Sequence, residues 1–372
     1  MKRLFCALLT TLLCTCGPAP KVEVAQPEFP LYPQVYPTDT WLRSSPTDQR
    51  IDTVALRNAL TYLASHCKAD GLTETMVIRD GYLVWAGDSI DKVHDIWSCT
   101  KSFTSAAVGL MAAEGLLDLD QPVADHEPRL RERYPTATYR HFLTMTSGYN
   151  AEGATRWPGD VSEDWSRTPY IPTTPLFAPG TAYTYWDEAM IMLGRALTTA
   201  ADTSLNDYLN ERLFSRIGIP QREWWGEGEV GGHPINFGGT GLKMSASEQA
   251  RFGLLMLHKG YWNDGNTTIR VLPGDFVEQA TTTRVPASLP LADTDRKSTG
   301  GPGRYGFNWW TINEGTDAPV AAAFTSGLNH NVCLIVPAWN MVIVRMGVDG
   351  NPSIPKYEVY AEVLRLLAPG VR

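Results

Sequence analysis

The spacing of apolar residues predicts strands near both ends of the chain. Residues 75–85 form an apolar, strand-like run, and Asp80-Gly81 in its middle is a dipeptide typical of a tight hairpin turn. Three further strand-like runs come late in the chain, at residues 305–312, 332–336 and 341–346. We therefore expect one sheet assembled from segments at the two ends of the sequence.

Helical periodicity occupies the positions between and around these runs. Apolar side chains recur at three- and four-residue spacing in six stretches, which are residues 52–64, 101–114, 188–200, 205–214, 246–257 and 354–367. Most of the middle of the chain is therefore expected to be helix and loop, enclosed by strands from both ends. This arrangement predicts an α+β fold with a helical insert at about residues 116–270.

The first 16 residues have the layout of a bacterial export signal. A cationic start precedes a largely apolar run over residues 4–13, which is too short to span a bilayer. Residues 13–16 resemble a lipoprotein cleavage box in which Cys16 would carry the lipid, although Thr15 departs from the usual small residue at its position. The expected location is therefore the periplasm of a bacterium, or the surface of a membrane to which a lipid anchors the protein.

Composition separates a tether from a folded domain. Residues 17–49 are rich in proline and predict an extended tether, and residues 50–370 are expected to form the folded domain. The 372-residue chain is 43% hydrophobic, which is enough apolar material to bury a large core. Its formal net charge of −8 argues against nucleic acid as a partner, since phosphate binding needs a basic surface.

Three cysteines remain after the predicted export signal: Cys67, Cys99 and Cys333. Their spacing matches no metal-binding motif, so no metal is expected. Two arrangements are open for them. Either two of them form a disulfide and the third is a free thiol, or all three are separately buried thiols.

The candidate chemistry begins with Ser98 and Lys101, which stand three residues apart at the start of a predicted helix. This spacing projects both side chains from one face of the helix. A serine hydroxyl needs a neighbouring group to accept its proton, and a desolvated lysine amine can do this. The pair therefore fits a nucleophile and its base, and it also fits a helix cap followed by a solvated lysine.

The sequence around Ser98-Cys99-Thr100-Lys101 resembles the active-site segment of serine β-lactamase-like hydrolases and penicillin-binding proteins. Further segments resemble this superfamily in the same order, at residues 96–105, 114–123, 140–148, 179–180, 185–187, 239–253, 305–310 and 336–337. Within the superfamily, the resemblance is nearest to the class C-like branch of carboxylesterases, D-aminopeptidases and 6-aminohexanoate-dimer hydrolases. It implies a β-lactamase/transpeptidase-like α/β sandwich, with an antiparallel sheet flanked by helices and a helical subdomain.

Tyr185-Trp186-Asp187 matches the first position of the family's second motif, which is Tyr-x-Asn or Tyr-x-Ser. The resemblance implies that Tyr185 moves a proton between Ser98 and the leaving group. Asp187 departs from the family's amide or hydroxyl. Its carboxylate would either stabilise the protonated form of Lys101 or pair with a substrate ammonium in the cleft. Trp186 is expected to shape the substrate pocket.

Thr325-Ser326-Gly327 stands where the family's third motif, Lys-Thr-Gly or His-x-Gly, is expected on a strand that lines the cleft. The cation of that motif is missing here, and in β-lactamases and D,D-peptidases it helps to bind a substrate carboxylate. Its absence favours a neutral or amine-bearing substrate. The N–H of residue 326 or 328 could form an oxyanion hole with that of Ser98. His330 either lines the cleft or is a hydrogen-bonded structural residue.

Together these features predict an exported serine hydrolase that cleaves small esters or amides through an acyl-enzyme on Ser98 and needs no cofactor. A second reading is a penicillin-binding D,D-carboxypeptidase or a β-lactamase, which the missing cation disfavours. A third reading is a non-catalytic binding protein of the cell envelope. The expected partner is a small ester or amide substrate, together with a membrane if Cys16 carries a lipid.

Overall fold

Segments from both ends of the chain form one six-stranded antiparallel sheet. The structure, a computed structural model, describes residues 35–152, 168–292 and 300–372. Side by side, the strands of the sheet are β11 (Trp310–Ile312), β12 (Ala322–Gly327), β13 (Asn331–Val336), β14 (Met341–Met346), β1 (Glu74–Arg79) and β2 (Tyr82–Ala86). Every neighbouring pair is antiparallel. The predicted α+β fold, with a sheet built from both ends, is thereby confirmed.

Helices cover both faces of this sheet. Within the described residues the α-helices are α1 (Thr53–Ser65), α2 (Thr100–Ala113), α3 (Tyr139–Leu143), α4 (Asp187–Ala201), α5 (Leu205–Leu209), α6 (Ala246–Leu257), α7 (Gly274–Thr281) and α8 (Lys356–Leu367). Along β13, Cys333 and Ile335 share a core with residues of α2 and α6, whereas Val332 and Leu334 share a core with residues of α1 and α8. Because strand side chains alternate between faces, each face is buried by its own pair of helices.

Short strand pairs accompany the helices of the insert. They are β3 (His94–Asp95) with β8 (Lys243–Met244), β4 (Ala151–Glu152) with β5 (Thr168–Pro172), β6 (Gly226–Val230) with β7 (His233–Asn236), and β9 (Tyr261–Asn263) with β10 (Thr268–Arg270). The sequence prediction of helix and loop missed these pairs. The reason is visible in β6, which is exposed along most of its length and lacks the apolar alternation that marks a half-buried strand.

The strand predictions at the two ends differ in accuracy. The hairpin at Asp80-Gly81 forms as predicted, with both turn residues at positive φ, as its tight turn requires. By contrast, only the last three residues of the predicted strand 305–312 join the sheet as β11. Its first part is a turn instead, in which Asn308 has a φ of 57° and the N–H of Gly306 donates to the carbonyl of Trp309.

The folded domain begins before residue 50. Trp41 packs into the core that the sheet shares with α2 and α6, here called the main core. Its indole N–H donates to the hydroxyl of Ser247 at 3.0 Å. The guanidinium of Arg251 donates to the backbone carbonyl of Pro37 at 3.2 Å. Residues 35–49 therefore belong to the domain, although the sequence assigns them to the tether.

The predicted export signal and Cys16 lie outside the described residues. Within the described residues, no helix combines the length and the apolar character that crossing a membrane needs. Cys67, Cys99 and Cys333 are all free thiols. Cys99 and Cys333 are fully buried and Cys67 is half-buried, which corresponds to the second of the two arrangements left open by the sequence.

Candidate active site

Ser98 lies on a strained turn between β3 and α2. The turn is one 3₁₀ turn over Trp97–Cys99, and Ser98 is half-buried. Trp97, directly before the serine, has a φ of 52°, a conformation that a bulky residue rarely adopts. The carboxylate of Asp95 holds it there by accepting the N–H of Trp97 at 2.6 Å. Strain of this kind persists where the surrounding structure enforces it, and it clusters at functional sites.

Lys101 is buried directly beneath Ser98, on the first turn of α2. Only 1% of Lys101 is exposed. Its ammonium donates to Ser98 Oγ at 2.8 Å, to the carbonyl oxygen of Gly239 at 2.9 Å and to the carboxylate of Asp187. An ammonium has three protons to donate, and these three acceptors match that number. The pair that the sequence predicts from helical spacing is therefore in hydrogen-bond contact.

Asp187 resolves one of the alternatives that the sequence left open. It is the first residue of α4, where the N-terminal end of the helix stabilises a carboxylate. It is 7% exposed and forms an ion pair with Lys101. The carboxylate is thus engaged inside the protein, and recognition of a substrate ammonium by Asp187 is not what the structure shows. The opposite charge next to Lys101 favours the ammonium form of the lysine.

Tyr185 is the third residue that the structure brings to this point. The centre of its ring lies 4.8 Å from the Lys101 ammonium. The ring stacks on Trp310 at 5.8 Å between ring centres, and Tyr305 meets it edge-on at 6.4 Å. Two aromatic neighbours and a cation therefore hold the phenol close to the Ser98 and Lys101 pair.

Trp186 does not shape the pocket in the way that the sequence suggests. It is 7% exposed and belongs to the main core. Trp310 borders the site instead, since it is half-buried and stacks on Tyr185. Its neighbour Trp309 is fully buried in the core. Since adjacent residues project in opposite directions, only one of these two tryptophans reaches the site.

The three residues of the expected third motif do not all face the cleft. Thr325 is fully buried, and its hydroxyl donates to Cys99 Sγ at 3.3 Å and accepts the N–H of Cys333 at 3.0 Å. It holds the nucleophile turn against the sheet, which corrects the expectation that it lines the cleft. Ser326 is half-buried on the opposite face of β12, as strand alternation requires.

Gly327 permits β12 to lie against the nucleophile turn. A Cβ atom on this residue would stand 2.2 Å from the carbonyl oxygen of Ile96 and 3.2 Å from the backbone nitrogen of Cys99. Both partners are backbone atoms, which cannot rotate away. Only glycine therefore fits between the strand and the turn that carries Ser98.

We expect Gly327→Ala to lower kcat/KM by about 100-fold, because a shift of about 1 Å in a catalytic group costs that much. Steady-state hydrolysis of a nitrophenyl ester would measure the loss. Gly315→Ala is the matched control, since a Cβ at Gly315 would meet no atom within 4 Å. Gly315 has a φ of 75°, so its variant is expected to lose some stability and to keep its kcat/KM. Unchanged kinetics in Gly327→Ala would show that the turn tolerates displacement.

His330 is placed away from the candidate site. It is fully buried on the face of the sheet that α1 and α8 cover. Its Nδ1 lies 3.9 Å from Cys67 Sγ, and its ring meets Tyr360 at 5.7 Å between ring centres. Burial lowers the pKa of His330 to about 2, so the ring is neutral. The expectation that it lines the cleft is corrected, because the positive φ values of Asn329 and His330 turn its side chain to the other face.

Lys356 is a cation near the site that motif reasoning misses. It is the first residue of α8, and its ammonium donates to the carbonyl oxygen of Gly327 at 2.5 Å and to Ser326 Oγ at 3.4 Å. Burial lowers the pKa of Lys356 to about 8, with the positive charge of Arg345 adding to the effect. It belongs to no sequence motif, so only the packing of α8 against β12 reveals it.

Comparison with known proteins identifies the family. The sequence profile of the Beta-lactamase family matches residues 73–346, which include Ser98, Lys101 and residues 185–187 and 325–327. No curated protein has a significant sequence match to the chain.

Solved structures share the fold at low sequence identity. A protein from Bacillus anthracis, described as a candidate 6-aminohexanoate-dimer hydrolase, is 21% identical, with a TM-score of 0.62 over 78% of this chain and 76% of that one. A family VIII carboxylesterase is 15% identical, with a TM-score of 0.62 over 89% and 99% of the two chains. A penicillin-binding protein homologue from Caulobacter crescentus is 15% identical, with a TM-score of 0.63 over the same shares.

At these identities the structural likeness establishes the fold, and the sequence profile establishes the family. Both agree with the resemblance found in the ordered motifs. Since the profile spans most of the chain and the sheet and helices match those of its relatives, this chain belongs to the Beta-lactamase family, whose fold is shared by esterases, amidases and penicillin-binding proteins.

Proposed function

We propose that this protein is a serine hydrolase that cleaves small esters or amides through an acyl-enzyme on Ser98. The observation that carries the proposal is the hydrogen bond of 2.8 Å from the buried Lys101 ammonium to Ser98 Oγ, with the ring of Tyr185 centred 4.8 Å from the same ammonium. A binding protein without turnover has no need of a nucleophile, a buried cation and a phenol at one point. The family's hydrolases, esterases and amidases are consistent with this chemistry.

The proton of Ser98 goes to Tyr185 in this mechanism. Asp187 keeps Lys101 in its ammonium form, so the lysine is a poor proton acceptor. Its positive charge instead stabilises the phenolate form of Tyr185, which accepts the proton as Ser98 Oγ attacks the carbonyl carbon. The phenol then returns this proton to the leaving alcohol or amine as the carbon–oxygen or carbon–nitrogen bond breaks.

Backbone N–H groups are available to stabilise the tetrahedral intermediate. In the described residues, β11 pairs with β12 only as far as Phe324, so the following part of β12 has no strand on that side. Gly327 in that part lies directly against the turn of Ser98. We place the oxyanion between the N–H of Ser98 and an N–H of this free strand edge, where hydrogen bonds strengthen as charge develops.

Water completes the cycle by attacking the acyl-enzyme, with Tyr185 as the base, and releases Ser98 and the carboxylic acid. The layout of residues 1–16 supports a location in the envelope of a bacterium, where small esters and amides reach the enzyme from outside the cell.

The test is direct detection of the acyl-enzyme with 4-nitrophenyl butyrate. Rapid mixing is expected to release a burst of nitrophenol equal to the enzyme concentration, and intact-protein mass spectrometry should show one butyryl group. Tandem mass spectrometry of the digested protein should locate this group on Ser98. Absence of both adduct and turnover, with the ester and with the matching nitroanilide, would leave the non-catalytic binding protein as the better description.

A further inference from the structure

A buried ion pair links β1 of the large sheet to the segment just before Ser98. Glu74 is the first residue of β1 and is 1% exposed. One oxygen of its carboxylate lies 2.6 Å from His94 Nε2, and the other accepts a hydrogen bond from the Lys92 ammonium at 3.0 Å. His94 is the first residue of β3, which leads into the turn of Ser98. The proposed mechanism gives this pair no role.

The hydrogen-bond acceptors around His94 require its ring to be an imidazolium. Its Nε2 faces the Glu74 carboxylate, and its Nδ1 lies 3.0 Å from the backbone carbonyl oxygen of Asp95. A carboxylate and a carbonyl oxygen can only accept hydrogen bonds. A neutral imidazole has one N–H to donate, whereas the imidazolium has two. The ring that satisfies both contacts is therefore positively charged.

The charges of this cluster support the same protonation state. Burial alone would raise the pKa of Glu74, but hydrogen bonds from His94 and Lys92 lower it below its usual value. Burial alone would lower the pKa of His94, but the hydrogen bonds to Glu74 and to the carbonyl of Asp95 raise it above its usual value. The charge of Lys92 opposes this rise more weakly. Further charged groups that act on the cluster are Lys243 beside Asp95, and Asp70 and Asp349 near Lys92.

Asp95 connects His94 to the turn that carries the nucleophile. Its backbone carbonyl receives the His94 contact, and Asn331 donates to the same oxygen at the longer distance of 3.4 Å. Its carboxylate accepts the N–H of Trp97 at 2.6 Å, and Trp97 has the strained φ of 52° directly before Ser98. The position of the Asp95 backbone therefore determines where its carboxylate can hold the turn.

We propose that the imidazolium of His94 is a positioning residue, which holds Asp95, and through it the turn of Ser98, in the geometry that attack on the substrate needs. When the ring loses its proton, one N–H remains for two acceptors. A nitrogen lone pair then faces an electron-rich oxygen, so one of the two contacts becomes repulsive and the link to β1 is lost. This inference rests on the proposed function and adds that hydrolysis depends on a proton that takes no part in the reaction.

Two amide substitutions remove the two contacts of His94 one at a time. In His94→Asn the amide nitrogen can take the place of Nδ1 and donate to Asp95, and in His94→Gln it can take the place of Nε2 and donate to Glu74. Because neither amide reaches both partners, each variant is expected to lower kcat for 4-nitrophenyl butyrate about tenfold, less than the roughly 100-fold cost of a 1 Å displacement. KM should change little, since no group that contacts the substrate is removed.

The pH dependence of kcat distinguishes a positioning role from a merely structural one. The pKa of His94 is raised above its usual value of about 6.5, so kcat of the wild type should fall towards that of the variants as pH rises through the raised pKa. The stability that protonated His94 contributes is fully present below about pH 6.5 and is lost over the same rise. Neither His94→Asn nor His94→Gln should show this fall in kcat.

His233→Gln is the matched control. His233 lies on β7 and also faces a carboxylate, that of Asp202, at 3.3 Å from its Nε2. It is not among the residues of the candidate site. This variant should therefore keep the kcat of the wild type and its dependence on pH.

A measurement without substrate separates this inference from the proposed function. Ile96-Trp97 is the only Ile-Trp dipeptide in the sequence, so labelling with carbonyl-¹³C isoleucine and ¹⁵N-tryptophan selects the Trp97 amide in an NMR spectrum. The protection of this amide against hydrogen exchange, relative to an unfolded chain at the same pH, should fall about tenfold as His94 loses its proton. In His94→Gln the protection should be low at every pH. NMR of ¹⁵N-labelled histidine gives the pH at which His94 titrates.

The two readouts decide between the outcomes. Protection of Trp97 that ignores the titration of His94, or variants that hydrolyse the ester as fast as the wild type, would overturn the positioning role and retain the hydrolase. If no ester or amide is hydrolysed, the proposed function fails, and the protection of Trp97 alone decides whether His94 holds the turn. The titrations of the wild type need no variant, so poor folding of a variant would not remove the test.

Discussion

Ser98→Ala is expected to lower kcat/KM for 4-nitrophenyl butyrate by about 10⁴-fold or more and to abolish the butyryl adduct. Removing the nucleophile leaves only substrate binding and the oxyanion N–H groups to accelerate the reaction. The fold should persist, because Ser98 is half-buried on a turn whose conformation is held by backbone and Asp95 contacts that do not involve its hydroxyl. Steady-state kinetics and intact-protein mass spectrometry measure the two effects.

Ser105→Ala is the matched control for this experiment. Ser105 lies on α2, the helix that follows the turn of Ser98, is 1% exposed, and its hydroxyl has no hydrogen-bond partner in the described structure. The variant also removes one serine hydroxyl oxygen, seven residues further along the chain, and should retain the activity and the adduct. An acyl group that persists in Ser98→Ala would identify another nucleophile, and the hydroxyl of Ser326 would be the next to test.

The spacing of Ser98 and Lys101 predicted that both side chains project from one face, but it left open a helix cap followed by a solvated lysine until the structure placed the two in hydrogen-bond contact. Local sequence was not sufficient for Asp187 either. The sequence left its carboxylate between Lys101 and a substrate amine, and the choice depends on how α4 approaches α2 in three dimensions. The partner of the Asp187 carboxylate is therefore decided by contacts between distant segments of the chain, which a local motif does not contain.

Strand residues show a second limit of prediction from the sequence. The apolar runs predict that segments from both ends of the chain share one sheet, but which residues of a strand face the cleft depends on the packing of its two faces. Thr325 turns towards Cys99 and Ser326 to the opposite face of β12, and the turn after β12 sends His330 to the face of the sheet that α1 and α8 cover. A one-residue change in phase exchanges the two faces, so the sequence alone did not distinguish them.

Lys356 shows a third limit, which concerns function more than fold. The missing cation of the third motif is a correct observation on the sequence, and it suggested a neutral or amine-bearing substrate. The structure places a cation from the first turn of α8, Lys356, against the carbonyl oxygen of Gly327. A charge requirement is a property of a position in space, and a residue from any element that reaches the position can satisfy it.

Lys101→Met should lower kcat/KM by about 1000-fold, which is about the cost of removing a group that stabilises charge in the transition state. The substitution removes the charge that stabilises the phenolate of Tyr185 and the donor to Ser98 Oγ. It also leaves Asp187 buried without its cation, which is expected to cost about 3 to 5 kcal/mol of the free energy of unfolding. Ester kinetics and urea denaturation measure these two losses separately.

The double variant Lys101→Met with Asp187→Asn distinguishes catalysis from stability. Asparagine is uncharged and nearly the same shape as aspartate, so the buried charge is gone and most of the lost stability should return. Activity should remain as low as in Lys101→Met, because the ammonium beside Tyr185 is still absent. If activity returned together with stability, Lys101 would act only by neutralising Asp187, and the phenolate of Tyr185 would not depend on its charge. If neither returned, the carbonyl of Gly239, which also loses its donor in both variants, would be the contact that the fold requires.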